Sequence, residues 1–206
     1  MKNESTIKAG NFTSWLEQTQ RGEQADVPCG DCNACCRASY FIHVTKADGA
    51  ARKAIPAPLL FPAPGQPEGC AVMGFNEAGT CPMLIEDRCS IYTRRPATCR
   101  DYDCRIFAAT GISAGGAEKR DVTAQVQRWQ FECSTPDDRK AQDGVKAAGH
   151  FLKTYRHLFK TRELPENPTE LALLAIRVYE IFIDQHATED VAQTITKIRK
   201  ILSTAI

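Results

Sequence analysis

The chemistry of this chain resides in its thiols. The first group is Cys29-Gly-Asp-Cys32-Asn-Ala-Cys35-Cys36. A C-x-x-C spacing lets the backbone turn so that both sulfurs face one centre while loop N–H groups point at the thiolates, which suits zinc and equally suits an iron–sulfur cluster. Three sulfurs at C-x-x-C-x-x-C spacing match a ferredoxin-type cluster loop better than a zinc ribbon, which pairs two separate knuckles. Cys36 points to the face opposite Cys35 in an extended chain, so it is read either as a ligand of a second centre or as a reactive thiol.

A second group comprises Cys81, followed by Pro82, then Cys89, Cys99 and Cys104. Its irregular spacings match no single knuckle, so each sulfur is expected from a different short element folded around a centre. Eight cysteines suffice for two four-sulfur sites, or for one site plus redox-active thiols. A four-thiolate centre carries a net charge of about −2, which nearby cations offset. Arg95 and Arg100 are the expected cofactor-binding cations, holding carboxylates or backbone carbonyls around the site. Cys70 reads as a small apolar core residue, and Cys133 as a possible additional ligand. His43, His150, His157 and His186 lie at no convincing ligand spacing from a cysteine.

The run CGDCNACC, then CPML, then CSIYTRRPATCRDYDC, resembles the CxxCxxCC cysteine-cluster family of iron- or zinc-chelating domains, over about residues 29–104. The resemblance implies that Cys29, Cys32, Cys35, Cys36, Cys81, Cys89, Cys99 and Cys104 are the metal ligands. It places Tyr92, Arg95, Pro96 and Arg100 on the family's IY, RP and CR positions. One branch is similar to flagellin lysine methylases, so the resemblance is compatible with an iron–sulfur oxidoreductase or a protein-modifying enzyme. The ferredoxin-like triplet favours an iron–sulfur cluster of the 4Fe–4S type as the cofactor, with zinc as the alternative. The corresponding functions are electron transfer or modification of a protein or peptide, against a zinc-stabilised interaction module without catalysis.

The elements that position these residues are short. All ten cysteines lie between Cys29 and Cys133, about half of a 206-residue chain. Three pieces are expected: an N-terminal helical extension (1–28), a cysteine-cluster metal-binding domain (29–136) and a C-terminal helical region (137–206). The fold class is α+β, with a small irregular cysteine-rich core of short strands and helices followed by an α-helical element. Ser14-Trp15-Leu16-Glu17 reads as a capping box opening a helix to Gln20. Residues 40–44 read as a strand and 46–54 as a helix begun at Thr45. Five prolines in 55–69 predict a loop without regular structure, or a lid. Short strands are expected at 70–75, 83–85 and 89–92, and a brief helix from Pro96 to Tyr102. Beyond Asp137, apolar residues recur at helical spacing in three stretches, the last starting at Thr188-Glu189-Asp190.

Bulk properties narrow the partners. Net charge is +1 and the charge is spread evenly, so no nucleic-acid footprint is predicted. The N-terminus lacks the features of a secretory signal, and no stretch approaches the roughly 18 apolar residues of a membrane span. A cytoplasmic location with an unidentified protein or redox partner is expected, where clustered cysteines indicate metal ligation rather than disulfides.

Overall fold

The computed structural model describes residues 6–23, 27, 29, 31–183 and 190–203. Strand β1 (Ile7–Asn11) leads into helix α1 (Phe12–Gln20), and a 3-10 turn at Ala34–Arg37 precedes β2 (Ile42–Val44) and α2 (Gly49–Ala54). Next come β3 (Leu60–Pro62), β4 (Ala71–Met73), β5 (Leu84–Ile85), β6 (Arg88–Cys89), α3 (Ala97–Asp101) and α4 (Arg105–Thr110). The chain continues through α5 (Arg120–Arg128), β7 (Trp129–Glu132), α6 (Pro136–Thr154), α7 (Pro168–Val178) and α8 (Val191–Ser203). Short strands in small sheets with long C-terminal helices make the α+β class expected from the sequence.

Two compact units are formed, and neither is one continuous stretch of chain. The first contains the N-terminal residues to Glu23, Cys104–Ala114 and Arg128–Ile206. Its β1 and β7 pair in parallel, and the rings of Phe12, Trp15 and Phe131 pack at centroid distances of 4.7 to 5.7 Å. These rings bury apolar area at the base of α1, where Trp15 is a packing anchor. Helix α6 begins with a capping box between Thr135 and Asp138. Asn11 Nδ2 and Thr13 Oγ1 also donate to the Asp138 carboxylate, at 3.2 and 2.5 Å, which fastens α1 to α6. Farther along α6, Gly149 lies against α4 so closely that a Cβ there would stand 2.1 Å from the Thr110 carbonyl oxygen.

The second unit spans Gln24–Asp103 and Gly115–Gln127. Its antiparallel sheet has the order β2-β4-β3, with Val72 between His43 and Phe61 in register. Val44, Ala51, Ile55, Met73, Met83 and Ile91 form a small buried core under it. Such a core supplies limited burial, so other interactions must order the long connections around it. β5 and β6 form a hairpin whose two loop residues, Glu86 and Asp87, both have positive φ (48° and 62°). This is the type I′ geometry whose twist matches that of the flanking strands.

Several local expectations change. α1 starts at Phe12, capped by Asn11 Oδ1, which accepts the Ser14 N–H at 3.0 Å; Ser14 is therefore inside the helix and does not cap it. α2 starts at Gly49 because Thr45 and Asp48 spend their polar groups on each other: Asp48 Oδ2 accepts from both Thr45 N and Oγ1. Part of the proline-rich segment forms β3, contrary to the loop expected there. Pro62 is tolerated because β3 is an edge strand, where a missing N–H leaves no partner unpaired. The strands expected at 70–75 and 89–92 shorten to β4 and β6. Three C-terminal helices are present; Thr188 and Glu189 lie outside the described residues.

Candidate metal centre

Within the second unit, one cavity of about 430 Å³ is lined by seven cysteines: Cys29, Cys32, Cys35, Cys36, Cys81, Cys89 and Cys99. The remaining wall is mainly apolar and aromatic, including Tyr40, Phe41, Ile42, Met73, Ile91, Tyr92 and Tyr102. Among the described residues, no three His, Cys, Asp or Glu side chains form a closed cage for a metal ion. The sulfurs are instead distributed around the wall.

Local hydrogen bonds explain how four sulfur-bearing segments reach one cavity. Cys32 N–H turns back to the Cys29 carbonyl at 2.9 Å, and Cys36 N–H to the Asn33 carbonyl at 2.9 Å, which curls the first cysteine group into a tight loop. Because the Ala34–Arg37 segment is a 3-10 turn and not an extended chain, Cys35 and Cys36 both line the cavity. Cys81 N–H donates to the Cys36 carbonyl at 2.7 Å and joins the second group to the first. The β5–β6 hairpin brings in Cys89, and its tip grips the first loop: Asn33 Nδ2 donates to the Asp87 carbonyl at 3.0 Å, and Arg37 is paired with the Asp87 carboxylate.

Cys99 is delivered by α3, whose start is fixed from outside. Asp48, with 2% of its side chain exposed, accepts the Ala97 N–H at 2.8 Å through Oδ1 while Oδ2 holds Thr45. Burial alone would raise the Asp48 carboxyl, but the Ala97 and Thr45 N–H groups, the Thr45 hydroxyl and the Arg100 guanidinium together hold it below the usual range. A buried carboxylate is retained here because each oxygen has donors, and it ties α3 to the turn before α2.

The electrostatics of the thiols are uneven. Burial, then repulsion from Cys35 and Cys32, raises Cys29 to about 11. Burial followed by the neighbouring thiolates raises Cys99 to about 12. Cys89 is also raised, chiefly by burial. Cys36 lies between Cys35 and Cys81 and hydrogen-bonds to both, so its own proton is held strongly. That donation lowers Cys35 and Cys81 to about 7 against the opposing effect of burial, with backbone N–H groups adding to it. Two thiolates therefore appear near neutrality while their neighbours stay protonated. A bound cation would replace thiolate repulsion with attraction and favour ionisation of the rest. A soft, sulfur-rich donor set of this kind fits zinc or an iron–sulfur cluster and fits hard oxygen-seeking cations poorly.

The predicted arginines separate. Arg95 lines the cavity, lies 3.8 Å over the Tyr92 ring, donates to the Tyr92 carbonyl at 3.1 Å, and its charge favours ionisation of Cys29, Cys89 and Cys99. Arg100 does not line the cavity; it donates to the Arg95 carbonyl at 2.5 Å and stands 3.9 Å from Asp48. Cys104 belongs to the first unit, where its buried Sγ accepts the Trp129 Nε1–H at 3.1 Å. Cys70 and Cys133 do not line the cavity, and neither do His43, His150 and His157; His186 is outside the described residues. The sequence reading missed Asp48, Tyr40 and Tyr102. Thr45-x-x-Asp48 is a recognisable side-chain-to-backbone turn, but nothing local in the sequence shows that its free oxygen reaches Ala97.

No match to the chain is found among curated proteins or among solved structures. A family model does match, over residues 28–121, and it covers the seven cavity cysteines together with Cys70 and Cys104. Its description, a candidate zinc- or iron-chelating domain, agrees with a cavity walled by thiols. Over residues 28–121, a little under half of its length, this chain is similar to the CxxCxxCC family of zinc- or iron-chelating domains.

Proposed function

We propose that the cavity holds one iron–sulfur centre and that the protein acts in electron transfer, with modification of a bound protein or peptide as the other use of the same centre. The observation that carries this reading is the convergence of seven cysteines on a single cavity. Four thiolates close a zinc site and a [4Fe–4S] core alike, so what favours the cluster is that three of the converging sulfurs, Cys29, Cys32 and Cys35, have the C-x-x-C-x-x-C spacing of a ferredoxin-type loop. An iron–sulfur core supplies reversible one-electron chemistry. The chain's own contribution is to bury the thiols, hold Arg95 against their charge and expose a thin apolar rim. Phe41 and Tyr92, which line the cavity, are 61% and 46% exposed, so a partner protein resting there would lie close to the centre.

On geometry, the four donors of the centre are proposed to come from Cys29, Cys32, Cys35, Cys36, Cys81, Cys89 and Cys99. Cys104, the eighth ligand implied by the family motif, is kept as a proposal on that ground alone. The zinc reading uses the same sulfurs: a closed four-thiolate ion would order the small core and leave the rim as an interaction surface. Anaerobic purification followed by iron, zinc and sulfide analysis, with a visible spectrum, separates the two. The expected result is coloured protein with iron and sulfide in comparable amounts. Colourless protein carrying stoichiometric zinc without sulfide overturns the iron–sulfur reading.

A further inference from the structure

Lys119 is far in sequence from every cavity cysteine, yet it reaches the segment that carries two of them. It ends the 3-10 turn Ala117–Lys119. Its ammonium donates to the Ala38 carbonyl, two residues after Cys36, and lies 3.7 Å from the centroid of the Tyr40 ring. A carbonyl oxygen and the face of an aromatic ring together replace the water that a lysine loses on burial. That loss is real, since desolvation is the main influence lowering this lysine's affinity for its proton. Gly115, at φ +152°, leaves the space: a Cβ there would stand 2.6 Å from Lys119 Cγ.

Tyr40 carries the link onward. Its hydroxyl is 2.8 Å from that of Tyr102, and the two rings are 5.3 Å apart. Tyr102 follows Cys99 by three residues, and both tyrosines line the cavity. Lys119, Tyr40 and Tyr102 therefore join the segment leaving Cys35 and Cys36 to the segment leaving Cys99, without using a sulfur. The positions 40 and 102 are 62 residues apart, and 38 and 119 are 81 apart, so the link spans the cysteine region.

We infer that Lys119, acting through Tyr40 and Tyr102, is a positioning residue that clamps two sulfur-bearing segments around the bound metal and slows its release. The inference rests on the metal-centre reading. The clamp acts on how long the metal stays, because opening the wall requires the Lys119–Ala38 bond and the tyrosine pair to part before the segments separate. Partners that orient metal ligands without touching the metal commonly contribute about 10–100-fold in affinity.

The test uses the full chain loaded with Co²⁺, whose visible bands report ligand geometry, with excess EDTA as acceptor under anaerobic, reducing conditions. Lys119→Met keeps length and apolar bulk but loses the charge and the donor. It is expected to release Co²⁺ at least about tenfold faster than wild type and to shift the visible bands. Lys119→Arg, which retains a cation for the ring and donors for Ala38, is expected to restore both. Tyr102→Phe removes one hydroxyl of the pair and is expected to fall between; it also serves as the decisive variant should Lys119→Met not fold by circular dichroism. Wild-type release and bands in both Lys119→Met and Tyr102→Phe overturn the clamp, as does failure of Lys119→Arg to restore either property. Wild-type protein that takes up neither Co²⁺ nor, on anaerobic reconstitution with iron and sulfide, a cluster overturns the metal-centre reading itself, and the clamp with it.

Discussion

Metal uptake by this chain should release protons in a pattern set by the cavity and unlike that of four ordinary cysteines. The perturbation is pH, varied from about 7.5 to about 9.5 while the metal-free chain binds Zn²⁺. Ligating sulfurs carry no proton in the bound state, so the logarithm of the affinity rises with pH at a slope equal to the number of protons displaced. For a four-sulfur site drawn from Cys29, Cys35, Cys81 and Cys99, the first and last remain thiols across this range, at about 11 and about 12. Cys35 and Cys81, lowered to about 7, are mainly thiolates by its lower end. The slope should therefore lie between two and three at the start and settle at about two, a gain of about 2.7 kcal/mol per pH unit. Four unperturbed thiols near about 8.5 would behave differently, starting at a slope above three and falling below one by about pH 9.5. Calorimetry in two buffers of different ionisation enthalpy, under anaerobic reducing conditions, counts the protons directly. A slope that collapses below one at the alkaline end would refute the argument that burial and thiolate repulsion hold Cys29 and Cys99 protonated.

Other outcomes follow from particular contacts. Asp48→Asn leaves one N–H of Thr45 or Ala97 facing an amide donor, and should cost about 1–3 kcal/mol by urea unfolding at neutral pH. Because the folded Asp48 carboxyl is lowered, its contribution is present above the unfolded value of about 3.9 and lost as pH falls through the folded one; the gap between wild type and variant should narrow there. Gly149→Ala places a methyl against the Thr110 carbonyl and should lower the thermal midpoint, at a cost of about 1–3 kcal/mol or more as α4 and α6 are forced apart. A normal midpoint would show that α6 can shift freely. Arg95→Met removes the cation that favours ionisation of Cys29, Cys89 and Cys99, so metal affinity should fall most at neutral pH; an equal loss from Arg100→Met would show that the two arginines are not distinct.

The periodic and punctuated parts of the chain were legible. Apolar residues at helical spacing marked α6, α7 and α8, because a helix packed on one side must repeat its buried residues every turn. The helix after Pro96 was likewise visible in residue type. Less legible was β3, since a proline-rich segment forms a strand only when a neighbour supplies the edge, and that neighbour, β4, is a tertiary fact. The cap of α1 was misread for a related reason: Asn11 and Ser14 are both good caps, and the choice followed from Asn11 also donating to Asp138, 127 residues away.

Residue type and spacing alone determined that this chain carries a soft-metal chemistry, because clustered thiols at turn spacing have few other uses. Which sulfurs share a wall was decided only in three dimensions. Cys104 lies five residues from Cys99 and reads as its companion, yet its sulfur is turned to the Trp129 indole in the first unit. Cys81 is 45 residues from Cys36 and is joined to it by a 2.7 Å backbone hydrogen bond. The physical reason is that a sulfur's direction depends on the backbone turn beneath it. In this chain those turns are set by distant partners such as Asp48, Asp87 and Lys119, which no local pattern reveals.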